Sequence, residues 1–327
     1  MMKNVFLFSG QGSHYYQMGE ELYRKEKRFK AYMDKLDLLP QKLINRSIVD
    51  ILYNENKKKS EAFTRTLYTH PAIFMVEYSL AKTLMDIGMV PGCLLGASLG
   101  EYVSLAVAEV LPVEELFELI ILQGRVIEEK CEPGGMIGII EEPVLYDSVR
   151  LIHEHSYLVA VNNKQHFVVS GFKESMAKIQ AWLRENGKLF QELPVSHGFH
   201  SPNIDPAFEF CTESFQSARV KAPVIDIISC FTGKKQESFD ATYFWDVARQ
   251  RIRFPEALKT LSQDKTCDYN IIDVGPAGTY AGFTTQNKVL GKNSKIYRIM
   301  TPFGNEMRNL NTIQVIIQPQ INTDERR

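Results

Sequence analysis

The sequence predicts an α/β fold, with a parallel sheet in a large domain and a small ferredoxin-like domain inserted into it. Short apolar runs at residues 5–8 and 93–95 each lead into a glycine-containing turn. Such runs are typical of strands buried on both faces of a parallel sheet. Between residues 136 and 193, short strands and helices instead follow one another in the order β-α-β-β-α-β, which is the ferredoxin-like pattern.

The composition is that of a globular protein with a sizeable core. The chain has 327 residues, of which 44% are hydrophobic and 24% are charged, and its net charge is −1. A chain of this length is expected to hold one large and one smaller domain. The balanced charge argues against binding to nucleic acid or to an anionic membrane.

The cysteines and the first residues indicate a cytoplasmic protein. The five cysteines are odd in number, far apart and without a Cys-x-x-Cys pair, so we expect reduced thiols and no metal site. The apolar run at residues 5–8 is too short for a signal peptide, and no window reaches the length of a membrane span.

The domain boundaries follow from a change in the sequence pattern. Residues 132–135, Glu-Pro-Gly-Gly, interrupt the long helical pattern before them. We therefore assign residues 1–130 and 196–312 to the large domain and residues 131–195 to the inserted domain. Residues 313–327 are rich in Gln, Asn, Thr, Asp and Arg, so we expect a flexible C-terminal tail there.

A Gly-x-Ser-x-Gly signature at residues 96–100 is the strongest catalytic signal. It follows an apolar strand and precedes a predicted helix, which would place Ser98 on a nucleophile elbow. The positive end of the helix dipole would then favour an oxyanion beside the serine. The alternative is an ordinary strand-to-helix turn that contains a serine by chance.

Two other loops carry residues suited to acyl-transfer chemistry. Residues 9–13 lack the third glycine of a dinucleotide fingerprint and the Gly-Lys-Ser of a phosphate loop, so their backbone N–H groups are better suited to an oxyanion. His197 and His200 lie three residues apart in a loop at the second domain boundary. His200 is a candidate base or a structural histidine; a metal bound by both histidines would lack a third local ligand.

Five motifs in order resemble the acyltransferases of fatty acid and polyketide synthesis, of the malonyl-CoA:acyl-carrier-protein transacylase type. The similarity covers about residues 3–300. Within the family, the chain most resembles the discrete trans-acting proteins of bacterial polyketide clusters. The family has an α/β-hydrolase-like large domain with a ferredoxin-like insertion and an active site between them. The motifs lie at residues 8–13, 96–101, 199–202, 244–254 and 273–276.

The resemblance implies roles for residues at the active site. Ser98 would be the nucleophile and His200 the general base and acid. The backbone N–H groups of Gln11 and Leu99 would form the oxyanion hole. A main-chain carbonyl at about Arg253 would orient the histidine. The carboxylates that could orient it instead, as in most hydrolases, are Asp205, Asp226 and Asp273.

The residues expected in the acyl pocket depart from the family pattern. Malonyl-loading members place an arginine where this chain has Gln123, and a neutral side chain argues against a carboxylated substrate. Arg125 lies two residues on, about 200° around a helix, and so is expected to face away unless the helix register is shifted. Ala97 replaces a common histidine beside the nucleophile, which would enlarge the pocket.

The loop before His200 and the inserted domain complete the predicted pocket. The sequence His197-Gly198-Phe199-His200 is close to the form found in malonyl-selective modules, which favours the opposite conclusion on substrate. Asn162 and His166 are placed by the inserted domain and either line the acyl pocket or lie at a strand end and in a surface loop.

The favoured function is a proofreading acyl hydrolase of polyketide biosynthesis that clears stalled acyl groups from acyl carrier proteins through a Ser98 ester. The alternatives are a transacylase that loads a malonyl or starter acyl group from coenzyme A, and a non-catalytic scaffold subunit. Beyond the phosphopantetheine thioester, no metal or redox cofactor is expected. Basic residues that would receive an acidic carrier protein, unless they are ordinary solvated charges, are Arg249, Arg251 and Arg253.

Overall fold

The computed structural model describes residues 2–264 and 266–324, with side chains to residue 316, and contains two β-sheets. The strands are β1 Met2–Phe8, β2 Cys93–Gly96, β3 Gly134–Ile139, β4 Tyr157–Asn163, β5 His166–Phe172, β6 Phe190–Glu192, β7 Asp226–Ser229, β8 Lys235–Gln236, β9 Asp268–Asp273 and β10 Lys295–Arg298.

Helices cover both sheets. In the first half of the chain they are α1 Glu20–Lys25, α2 Lys27–Ile44, α3 Ile48–Leu52, α4 Thr66–Asp86, α5 Leu99–Val107 and α6 Val113–Lys130. They continue with α7 Val144–Ser148, α8 Arg150–His155, α9 Lys173–Glu185, a 3-10 helix Pro202–Ala207, α10 Phe208–Gln216, α11 Ala241–Arg249, α12 Phe254–Leu261, α13 Thr279–Asn287 and α14 Glu306–Asp324.

The large sheet has the order β10-β9-β1-β2-β7-β8, and only the edge strand β8 runs antiparallel to its neighbour. The apolar end of β1 is buried because β9 and β2 flank it and helices cover both faces. Phe8 pairs with Gly96, and Leu7 pairs with Asp273. The loops that follow β1, β2 and β9 therefore meet at one edge of the sheet, where ligands bind in α/β folds.

The small sheet has the order β4-β5-β3-β6 and is antiparallel. With its helices it has the predicted β-α-β-β-α-β order, so the α/β fold class with a ferredoxin-like insertion is confirmed. All four strands lie within residues 131–195. We propose the domain division given above on this basis.

Helix α4 forms the centre of the core on one face of the large sheet. It packs against α2, α5 and α6, and apolar side chains cover most of its circumference. A helix that is apolar on all sides belongs in a core or a membrane. Within the described part of the chain, none of the helices combines the length and the apolar character needed to cross a bilayer.

The segment expected to form a flexible tail, residues 313–327, overlaps the last helix, and its flexibility stays a prediction. Helix α14 continues through residue 324, and residues 325–327 lie outside the described part. Leu310 and Ile313 are buried one turn apart on the face of α14 that meets the core. This apolar spacing holds the first turns of α14 against the core of the large sheet.

Candidate active site

Ser98 occupies a sharp turn between β2 and α5. Its backbone has φ 56° and ψ −126°, a conformation that non-glycine residues seldom adopt. The flanking glycines allow this turn, since a β-carbon at Gly96 would collide with the backbone of Gly100 and one at Gly100 with the backbone of Phe8. The turn places Ser98 at the N-terminus of α5, where negative charge is favoured.

His200 lies beside the Ser98 hydroxyl. Its Nε2 atom is 2.8 Å from Ser98 Oγ, and its Nδ1 atom is 2.8 Å from the carbonyl oxygen of Gln250. Because a carbonyl oxygen can only accept, Nδ1 carries the proton and Nε2 accepts a hydrogen bond from the serine. Burial lowers the pKa of His200 to about 4, so the ring is neutral near pH 7. The pair has the geometry for general-base activation of a serine.

The carbonyl that contacts His200 belongs to Gln250 and not to Arg253, so the position expected from the resemblance is wrong. Gln250 follows the last residue of α11 with φ −89° and ψ 162°, which takes its carbonyl out of the helical path. The carbonyl of Arg253 instead accepts a hydrogen bond from the N–H of Ala257 in α12. A break between two helices thus frees a carbonyl for the histidine.

The three candidate carboxylates bind other groups. Asp205 forms an ion pair with Arg249. Asp226 pairs with lysine side chains, and both oxygens of Asp273 accept hydrogen bonds from backbone N–H groups. None of the three contacts His200, which leaves the Gln250 carbonyl as the partner of its Nδ1 atom.

The loop at residues 9–13 lies directly against Ser98. A β-carbon at Gly10 would be 2.6 Å from Ser98 Cβ, so the approach requires glycine. Gln11 follows, and its side-chain Nε2 donates to Thr69 Oγ1 at 2.8 Å. Within the described residues, no group accepts a hydrogen bond from the backbone N–H of Gln11 or Leu99. Both N–H groups are available to an acceptor beside the serine.

A narrow cavity of about 10 Å³, here called the inner pocket, adjoins Ser98. Gln123 is buried there, and its Nε2 atom donates to the Tyr102 hydroxyl at 3.1 Å. Arg125 faces away, since its guanidinium donates to the carbonyl of Leu43. The inner pocket is lined by Gln11, His70, Ser98, Leu99, Tyr102, Gln123, Phe199 and Ala248.

A larger cavity of about 260 Å³, the outer cavity, lies between the edge of the large sheet and the small sheet. Ser98 and His200 open into it, together with Asn162 and His166 from the small sheet. The Asn162 Nδ2 atom is 3.1 Å from His166 Nδ1. Asn162 therefore lies in the outer cavity, and not in the inner pocket beside Gln123.

Two predicted pocket residues lie elsewhere. The expectation that Ala97 enlarges the acyl pocket is wrong, because its side chain packs in the core with Leu95 and Phe254. His197 also lies outside both cavities, with its Nδ1 atom 2.9 Å from Ser196 Oγ. Phe199 does line the inner pocket, so only this part of the loop has the expected position.

His70 is a pocket residue that the sequence analysis did not identify. It lies in the first turns of α4, and its ring centre is 5.4 Å from that of Phe199. Burial lowers the pKa of His70 to about 3, and its Nδ1 atom has no partner among the described residues. A histidine at the start of an otherwise apolar helix was the available signal, but nothing local assigns it to the pocket.

A comparison with models of known protein families agrees with the sequence motifs. Residues 5–299 match the family model of the acyl transferase domain. This chain belongs to that family. The match confirms the family inferred from the five motifs, and it extends through both sheets.

Two relatives of similar length match nearly all of this chain. It is 39% identical over 316 residues to the polyketide biosynthesis acyltransferase homolog PksD of Bacillus subtilis (strain 168), covering 97% of each chain. It is 41% identical over 310 residues to the homolog BaeD of Bacillus velezensis, covering 95% of each. The acyltransferase domain from the second module of the salinomycin polyketide synthase is similar in structure, with a TM-score of 0.82 and 25% identity over 96% of this chain and 72% of that one.

Proposed function

We propose that this protein is a cytoplasmic acyl hydrolase that removes stalled, non-carboxylated acyl groups from acyl carrier proteins of a polyketide synthase. The observation that carries the proposal is the neutral Gln123 in the inner pocket, where malonyl-loading members of the family place an arginine. The names of the relatives PksD and BaeD support a role in polyketide biosynthesis.

The proposed reaction uses the Ser98–His200 pair twice. Ser98 Oγ attacks the thioester carbonyl while His200 Nε2 takes its proton, and the oxyanion accepts hydrogen bonds from the N–H groups of Gln11 and Leu99. The C–S bond breaks, and the thiol leaves with the proton from His200. Water then attacks the Ser98 ester, His200 takes its proton, and the free acid is released as Ser98 regains a proton.

The neutral lining of the inner pocket supports a non-carboxylated acyl group over a malonyl group. A charge-assisted hydrogen bond to a carboxylate contributes roughly 1.5–3 kcal/mol, and burying the carboxylate unpaired costs more. Among the described residues, neither the inner pocket nor the outer cavity is lined by a lysine or an arginine. A plain acyl group meets no such penalty.

The outer cavity would hold the end of the phosphopantetheine arm next to Ser98. Ile252 lines this cavity, and the exposed residues Arg251 and Arg253 flank it in the chain. Arg249 is engaged by Asp205. We therefore expect the acidic carrier protein to dock near Arg251 and Arg253, where opposite charge accelerates association.

The deciding experiment follows each carrier protein by intact mass. Acetyl-, butyryl- and malonyl-carrier protein are incubated with the enzyme, with and without a second, unloaded carrier. Release of acetic and butyric acid with malonyl retained, and no reaction with Ser98→Ala, is the expected result.

Two outcomes would contradict the proposal. Efficient movement of malonyl from carrier to carrier with little free acid would identify a loading transacylase. Absence of both hydrolysis and transfer in the wild type, with Ser98→Ala indistinguishable from it, would identify a non-catalytic subunit.

A further inference from the structure

Glu77 is a buried carboxyl group directly beneath the loop at residues 9–13. It lies in the middle of α4 with no exposed surface. Its Oε1 atom is 2.9 Å from the backbone nitrogen of Ser9 and 2.6 Å from Ser9 Oγ. The chemistry at Ser98 does not itself consume or transfer a proton at this group, so its position in the core requires another explanation.

The contacts of Glu77 continue along the loop. Ser9 Oγ is 2.8 Å from Ser13 Oγ, and Ser13 Oγ is 2.8 Å from the carbonyl oxygen of Gly10. That carbonyl and the N–H of Gln11 belong to the same planar peptide unit. Whatever holds the Gly10 carbonyl therefore also holds the direction of the Gln11 N–H, in the loop whose Gly10 packs on Ser98.

The number of protons available to this series of hydrogen bonds indicates the protonation state of Glu77. Three oxygen–oxygen contacts join Glu77 Oε1, Ser9 Oγ, Ser13 Oγ and the Gly10 carbonyl, and each needs one proton. The two serine hydroxyls supply two protons. A carboxylate would leave one contact without a proton. A carboxylic acid supplies the third, and every hydroxyl then donates to the next oxygen towards Gly10.

The surroundings of Glu77 also favour the neutral acid. Burial raises the pKa of Glu77 well above its usual range and outweighs the hydrogen bonds from Ser9, which lower it; the nearby carboxyl of Asp273 raises it further. Asp273 accepts hydrogen bonds from the backbone N–H groups of Gly275 and Ala281, at 2.9 and 2.7 Å. Gly275 packs on Ser9, where a β-carbon would be 2.9 Å from Ser9 Cβ. The second carboxyl thus supports the loop from the other side.

We propose that Glu77 is a protonated positioning residue that, through Ser9 and Ser13, orients the Gly10–Gln11 peptide and so aims the Gln11 N–H at the oxyanion formed on Ser98. The inference rests on the proposed function only in requiring an acyl transfer to Ser98. The same positioning is needed whether water or a second carrier protein accepts the acyl group from Ser98.

The kinetic test compares Glu77→Ala, Glu77→Gln and Ser9→Ala with the control Ser79→Ala. Ser79 is buried in the same helix, and its Oγ has no partner among the described residues. Glu77→Ala should lower kcat for thiol release from acetyl-carrier protein about 10²-fold with KM unchanged, since loss of a whole oxyanion donor costs about 10²–10³. In Glu77→Gln the amide oxygen can accept from the Ser9 N–H or the amide nitrogen can donate to Ser9 Oγ, but one atom cannot do both, so its kcat should fall between those of the wild type and Glu77→Ala.

Ser9→Ala removes one hydroxyl from the chain and covers the case in which Glu77→Ala does not fold. It should lower kcat, whereas Ser79→Ala should not. A rise in KM with unchanged kcat in the Glu77 and Ser9 variants, or wild-type kcat in Ser9→Ala, would overturn the positioning role.

The protonation state is tested without any turnover. The infrared difference spectrum of wild type minus Glu77→Gln at neutral pH should contain the carbonyl stretch of a protonated carboxyl group, and carboxylate bands in its place would contradict the proposal. Because this readout needs no substrate, it remains decisive even if the enzyme proves to be a transacylase or to lack hydrolytic activity.

Discussion

The side-chain amide of Gln123 donates a hydrogen bond to the hydroxyl of Tyr102 at 3.1 Å, next to Ser98. The Tyr102 hydroxyl in turn donates to the carbonyl of Phe244, so it both donates and accepts a hydrogen bond. This arrangement is neutral throughout, and Arg125 is directed towards Leu43 on the other side of the helix. The inner pocket therefore offers polarity without the positive charge that a malonyl carboxylate requires.

Replacement of Gln123 by arginine should shift the substrate preference towards malonyl. The new guanidinium would supply the missing charge, and a gain of about 1.5 kcal/mol corresponds to about tenfold in the malonyl-to-acetyl ratio of kcat/KM. Competition between the two acyl-carrier proteins, followed by mass, measures this ratio. Arg125→Ala is the matched control on α6 and should leave the ratio unchanged; a fall in the malonyl-to-acetyl ratio in that variant would show that Arg125 reaches the pocket.

Gly10→Ala should inactivate the enzyme with little global unfolding. The added β-carbon would be 2.6 Å from Ser98 Cβ, so the loop must move away from the nucleophile and take the Gln11 N–H with it. Loss of one oxyanion donor lowers kcat by about 10²–10³. Steady-state kinetics and a thermal melt measure the two effects separately.

Gly282→Ala provides the control for this substitution. Gly282 lies within α13, and a β-carbon there would meet no atom within 4 Å. Because alanine favours a helix over glycine by about 0.5–1 kcal/mol, Gly282→Ala should be active and slightly more stable. Equal activity of the two alanine variants would contradict the close approach of Gly10 to Ser98.

The pH dependence of kcat/KM should show the lowered pKa of His200. The neutral ring is the active base, and burial lowers its pKa from 6.5 to about 4. The base therefore stays deprotonated as the pH falls from neutrality, and kcat/KM decreases only as the pH falls through about 4. An acid limb near 6.5 would instead mean that the ring is solvated in the working enzyme.

Asp205→Asn should leave catalysis unchanged, because His200 is oriented by the Gln250 carbonyl and Asp205 forms an ion pair with Arg249. His200→Ala, in contrast, should lower kcat by about 10⁴-fold or more. Parallel measurement of kcat for both variants decides between a carbonyl and a carboxylate partner. A large loss in Asp205→Asn would favour the carboxylate.

Local sequence was sufficient for the features that depend on neighbouring residues. The turn at Ser98 requires small residues at Gly96 and Gly100, and the apolar runs before the glycine loops indicate buried parallel strands. The order of strands and helices between residues 134 and 192 likewise indicates the ferredoxin-like sheet. These are constraints of backbone conformation and periodicity, so they are visible in short segments.

Tertiary structure decided which distant groups meet and which way each side chain points. Ser98 and His200 are 102 residues apart, and they meet because the two segments of the large domain, before and after the insertion, pack against each other. The carbonyl of Gln250 became the histidine partner because α11 ends there, and Ala97 points into the core although it adjoins the nucleophile. The burial of Glu77 beneath Ser9 likewise arises from the packing of α4 among α2, α5 and α6, because contacts between distant segments depend on three-dimensional packing and not on local residue preference.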